Sequence, residues 1–124
     1  MAVAEFQTLL TDFLRVFGPD HPDTLQLRHE LARSQGEAGD PAGAVAALQT
    51  LLADRLRVLG PDHPDTLTSR HELAHWRGKA GDPAVAVTAL QTVLADRLRV
   101  LAPNHPDTLT TRHQLDHWTQ QANR

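Results

Sequence analysis

The chain has 124 residues, 40% hydrophobic and 22% charged, with 12 Lys and Arg against 15 Asp and Glu, eight His, a net charge of −3 and no Cys. That composition excludes a disulfide framework and any thiolate metal site. With Lys79 as the single lysine and no basic block, it also argues against nucleic acid, whose phosphates need a concentrated basic face. No apolar run approaches the roughly 20 residues of a spanning helix, and residues 1–17 carry acids where a secretory signal is basic and then apolar; a soluble cytoplasmic domain without membrane contact is expected.

The first predicted element is a helix ending at Phe17, and it holds all three phenylalanines, Phe6, Phe13 and Phe17. The second runs from about Pro22 to Ala38. His21 precedes it, proline takes the first helical position, where a missing N–H costs nothing, and Gly39 closes it. The third opens on Asp40 as N-cap with Pro41 behind it, carries Ala44, Val45, Leu48, Leu51, Leu52, Leu56 and Leu59 along one stripe, and stops at Gly60-Pro61. From there the chain restarts: residues 60–101 repeat residues 18–59, from GPDHPDTL to the closing ADRLRVL, with nine differences, and residues 102–124 open the unit once more. Residues 1–17 match the second half of the unit. The array therefore holds two full periods (18–59 and 60–101) and two partial ones (1–17 and 102–124), in a single domain spanning 1–124.

A fixed period of 20 to 50 residues signals a solenoid, because one helical pair cannot bury its apolar face without stacked neighbours. Strand signals are missing, so six helices in antiparallel pairs are expected, an all-α superhelix. The chain begins inside a repeat, which suggests a late gene start or a segment of a longer array. Asp116, in the slot of Ala32 and Ala74, together with Gln120, Asn123 and Arg124, reads as a solubilising terminal cap.

Leu31-Ala32, then Gly39, then Ala44 and Leu48 resemble the spacing of the tetratricopeptide repeat, and GPDHPDTL at Gly18 and Gly60 is similar to the junction of its 42-residue kinesin light chain type. The resemblance covers the whole chain. It departs at the family's tyrosine slot, here Gln35, Arg77 and Thr119. Such arrays are frequent in bacteria with high-GC genomes, often attached to nucleotide-binding signalling ATPases. The resemblance implies a non-enzymatic scaffold that binds a peptide or protein segment in a concave groove lined by the first helix of each pair. Carried over, the groove comprises Gln26, His29, Glu30, Arg33 and Glu37, then Thr68, His71, Glu72, His75 and Lys79, then Thr110, His113, Gln114, His117 and Gln121. Three of the nine differences between full repeats, Gln26/Thr68, Arg33/His75 and Glu37/Lys79, fall there.

Other residues offer competing chemistry. His71-Glu72-Leu73-Ala74-His75 is a literal H-E-x-x-H, in which two histidines one turn apart could hold zinc while the glutamate activates water. The equivalent slots read HELAR at His29 and HQLDH at His113, the third ligand position of the longer pattern is Gly81, and no Met-turn exists, so the motif reads as repeat drift on ordinary helix surface and a zinc hydrolase is a remote alternative. The pairs His71/His75 and His113/His117 could still capture metal adventitiously. His21, His63 and His105 read as helix-capping residues. Arg28, Arg70 and Arg112 are expected to pair, as a structural ladder, with Asp12, Asp54 and Asp96 on the second helices that precede them, and Trp76 and Trp118 to pack between helices. There is no phosphate loop and no cofactor is expected. The alternative to groove binding is end-to-end homo-oligomerisation, with Phe6, Phe13 and Phe17 on an exposed first helix.

Overall fold

The structure, a computed structural model, describes residues 3–124 as six helices: α1 Val3–Phe17, α2 Pro22–Glu37, α3 Pro41–Leu59, α4 Pro64–Lys79, α5 Pro83–Val100 and α6 Pro106–Ala122. Each packs against its neighbours in the chain, and α4 also touches α6. The described residues contain no strand.

Both helix types are started by local chemistry that recurs every 42 residues. In α2, α4 and α6 the imidazole Nδ1 of His21, His63 and His105 accepts from the backbone N–H of Asp23, Asp65 and Asp107, at 3.1, 3.0 and 3.1 Å. This is the capping bond usually made by Ser or Asp, here made by the capping histidines expected from sequence. In α3 and α5 the caps are Asp40 and Asp82, accepting from Gly43 and Val85. Gly60 ends α3 at φ 89°, in the left-handed region open to glycine. The matching residue after α5 is Ala102, which has no such freedom; the helix stops one residue sooner, at Val100, with Leu101 already extended at φ −116° and ψ 166°.

The core is a stripe on each of α3 and α5, seated against first helices on both sides. On α3 the buried set is Ala44, Leu48, Leu51 and Arg55, and on α5 it is Ala86, Leu90, Val93 and Arg97. Each fully buried Leu contributes about 1.5–3 kcal/mol. Leu56, assigned to the stripe from sequence, is instead 41% exposed, because the buried positions follow a 4-3-4 spacing that ends on Arg55. Trp76 lies over Gly36 and Trp118 over Gly78. A Cβ on either glycine would come within 2.6 Å (Gly36) or 2.7 Å (Gly78) of the indole, so glycine is what lets adjacent first helices approach.

The arginine–aspartate ladder exists, but its register differs from the expectation. Arg28 Nη1 donates to Asp54 at 2.7 Å and Arg70 Nη1 to Asp96 at 2.6 Å, so each arginine pairs with the second helix that follows it. An antiparallel pair closed by a short loop brings its own two helices side by side, which the reverse register ignored. These guanidiniums hold both carboxyls below the usual carboxylate range. Asp54 and Asp96 also receive Arg57 and Arg99, which fork onto Asp20 and Asp62 across the repeat.

Candidate functional site

The first helices α2, α4 and α6 line a groove of about 610 Å³. One wall is Arg33, Gly36 and Glu37 of α2, the centre is His71, Glu72, His75, Trp76 and Lys79 of α4, and the far wall is Thr110 and Gln114 of α6. Eight of the fifteen residues assigned to the groove from sequence meet there. Gly36 and Trp76 were missed; the signal for them was the recurrence of Trp two residues before Gly or its counterpart on the first helices, read only as packing.

The other seven lie elsewhere. Gln26 and Glu30 line a separate depression of about 270 Å³ beside Phe13, and Gln26 Nε2 donates to Glu30 at 3.1 Å. Thr68 accepts a hydrogen bond from Arg97 at 3.2 Å. His29 is 6% exposed, covered on the side of the next first helix, where Glu72 stands near it. His113 and His117 are exposed and Gln121 half-buried on α6.

The groove is electrostatically mixed. Arg33 Nε donates to Glu37 at 3.1 Å along its rim, and Glu72 and Lys79 stand on α4 opposite. His71 forms the floor, 8% exposed, with Nδ1 3.2 Å from Thr111 Oγ1, itself bonded to Arg97 Nη1 at 2.7 Å. Burial, with Arg97 and His75 nearby, pushes the His71 imidazole down to about 4. Burial likewise lowers His75, opposed by the neighbouring Gln114 amide and reinforced by Lys79, His117 and Arg33. His71 is thus a neutral structural imidazole and not helix surface, and the H-E-x-x-H segment points its first histidine into a closed network. Among the described residues no three His, Asp or Glu side chains group as a metal site, and no described helix is long and apolar enough to cross a membrane.

A second feature, unread in the sequence, sits beneath the groove. Arg55 is 2% exposed and joins three helices: Nη1 donates to Asp65 O of α4 at 3.2 Å and to Ser69 Oγ at 2.8 Å, while Nη2 donates to Gln26 Oε1 of α2 at 3.3 Å. Arg97 makes the same bonds to Asp107 O, Thr111 and Thr68. Its position as the last member of an apolar stripe was the available sign. At the first joint the slot holds Phe13, and Leu27 replaces the Ser69 and Thr111 partner.

The helical pairs and their period agree with the comparisons. The sequence profile of the tetratricopeptide repeat matches residues 24–65 and 66–107, more than half of the chain. The chain belongs to the tetratricopeptide repeat family, whose repeats mediate protein–protein interaction and scaffolding. Among solved structures it is similar to a Podosopora anserina protein described as a kinesin light chain with nearly identical TPR-like repeats, at 30% identity and a TM-score of 0.84 over 95% of this chain and 56% of that one. A form of that protein with one residue substituted is similar at 30% identity and a TM-score of 0.83, over 94% and 55%. The chain thus spans just over half the length of these relatives. No curated protein matches it in sequence.

Proposed function

We propose that the chain is a non-enzymatic interaction module that takes a peptide or protein segment in the groove between α2 and α6. The supporting observation is that cleft of about 610 Å³, which collects a guanidinium, an ammonium, two carboxylates and two neutral polar side chains around a buried indole and imidazole. A partner segment fitting it carries both signs of charge and at least one apolar or aromatic side chain for Trp76, since rim charges select and orient while the desolvated centre supplies affinity.

The test is selection of displayed peptides on the 124-residue chain, followed by titration of the enriched sequences against Glu72→Lys and Lys79→Glu. Loss of tenfold or more in affinity with either variant, at unchanged thermal stability, supports the groove. Enriched peptides that bind both variants as well as the parent place the interaction on another surface and reject the reading.

A further inference from the structure

Helix α1 is a second helix by sequence and α6 a first helix: residues 3–17 align with Val45–Leu59 of α3, and Pro106–Ala122 with Pro22–Ala38 of α2. Within the structure every first helix except α6 is covered by the second helix that follows it. The effect is visible at one repeated leucine. Leu25 and Leu67 are 1% and 0% exposed beneath α3 and α5, whereas Leu109, the same residue of the repeat on α6, is 51% exposed. At the other end α1 has no buried residue and leaves Leu14, Val16 and Phe17 exposed.

We infer that α1 of a second copy of this chain docks on α6, rebuilding across two molecules the helix pair that α2–α3 and α4–α5 make within one. Three features of the two faces match when the internal joint is transposed by the repeat. Arg112 occupies the slot of Arg28 and Arg70, has no side-chain hydrogen bond or ion pair among the described residues, and meets Asp12 of the next copy, whose own pairing is a 3.8 Å contact with Arg15. Leu109 is covered by the Phe6 and Leu9 face, as Leu25 is by Leu48 and Leu51 in the core. The Trp-over-Gly contact between successive first helices changes on both sides at once: Gln120 replaces the glycine and Ser34 replaces the tryptophan, so the larger residue on one side faces the smaller on the other.

Phe13 completes the match. At internal joints a buried arginine fills this slot, and such a group left at an open face keeps its charge in water; Phe13 instead brings apolar area that association removes from water. Asp116 stands where the internal joints bury Ala32 and Ala74, so this joint is weaker than the internal ones and reversible. The contact is heterologous and repeats without closing, giving linear stacks rather than a dimer.

The experiment is sedimentation velocity on the 124-residue chain and on Arg112→Asp and Asp12→Arg, alone and mixed in equal amounts. Both substituted positions are exposed in the monomer, and circular dichroism verifies that each variant folds. Each single variant presents like charges to itself at every joint, whereas the mixture presents opposite charges at the joints between unlike copies. The expected result is a mass that rises with concentration for the parent beyond that of a dimer, monomers for each variant alone, and recovery of association in the mixture. A parent that stays monomeric over a hundredfold range of concentration, a parent mass that levels at the dimer, or a mixture no heavier than its components overturns the inference.

Discussion

The joint between α1 and α2 and the joints at α3–α4 and α5–α6 share one backbone plan and solve it with opposite chemistry. At the inner joints a buried guanidinium ties three helices through carbonyl, hydroxyl and amide oxygens. At the first joint Phe13 lies beside Leu27 and stacks edge-on with Phe17 at a centroid distance of 5.3 Å. Arg with Ser or Thr, and Phe with Leu, are each self-consistent pairs. A polar tie depends on acceptors from neighbouring helices, since an unmatched donor or acceptor costs about 1–3 kcal/mol when buried, and here Nη1 and Nη2 find them while Nε of Arg55 and of Arg97 does not; an apolar tie needs none. The repeat thus varies by pairs of slots and not by single residues.

Mixing the two solutions is the strongest way to break the comparison. Arg97→Ala removes the one donor shared by Asp107 O, Thr111 and Thr68 and opens a void, and should cost about 3–4 kcal/mol in urea unfolding. Arg55→Phe with Ser69→Leu, which copies the first joint into the centre, should cost less than the sum of its single changes by at least about 1 kcal/mol in a double-mutant cycle; additive costs would mean that the slots are independent.

Acid should act next, through His71. Its folded value near 4 lies below the ordinary value of 6.5, so the unfolded chain binds the proton more tightly. The stability held by the neutral imidazole is complete above about pH 6.5 and is lost as pH falls toward 4. The loss amounts to roughly 3 kcal/mol by the time pH reaches 4, since each tenfold weakening of proton affinity on folding is worth about 1.4 kcal/mol. His29, lowered chiefly by burial, adds in the same direction. His71→Gln should flatten the unfolding midpoint over that window, and an unchanged slope would remove His71 as the source.

Gly78→Ala comes third. The added Cβ meets the Trp118 ring, and overpacking of this kind should cost about 1–3 kcal/mol by thermal unfolding. In the background of Trp118→Ser, which removes the ring at its own cost as a buried indole, the added methyl should cost less than it does beside the intact indole, a coupling that a double-mutant cycle reads. Smallest of all is Asp62→Asn, which opens the exposed fork to Arg99. Its effect on the unfolding midpoint should vanish in about 1 M salt, where the screening length is about 3 Å.

The helices, their caps and the solenoid were legible in sequence because each depends on neighbours a few residues apart: the His-Pro and Asp-Pro starts, the closing glycines and the 42-residue period. Half of the groove was legible for the same reason, since residues on one face of α4 follow from helical spacing. What failed depended on the lateral approach of helices. His29 and His71 share a turn with Glu30 and Glu72, yet they face the adjacent first helix at a contact set by Gly36, Gly78 and the two indoles. The same approach hid Arg55, whose acceptors lie up to 29 residues away on two other helices, and it decided which aspartate each ladder arginine meets. Repeat arithmetic gives the list of slots; only the angle between pairs says which slots touch.

The second full repeat carries an indole, Trp76, on one side of its first helix and, two residues on, Gly78, which receives the next indole. Lock and key travel together in one stretch of gene. Inserting a further copy of residues 60–101 would therefore set Trp76 of the copy over Gly78 of its template and leave both flanking contacts as they are. The length of such an array can drift by whole repeats through recombination without any joint having to be reinvented, so copy number is free to vary while the chemistry of contact stays fixed.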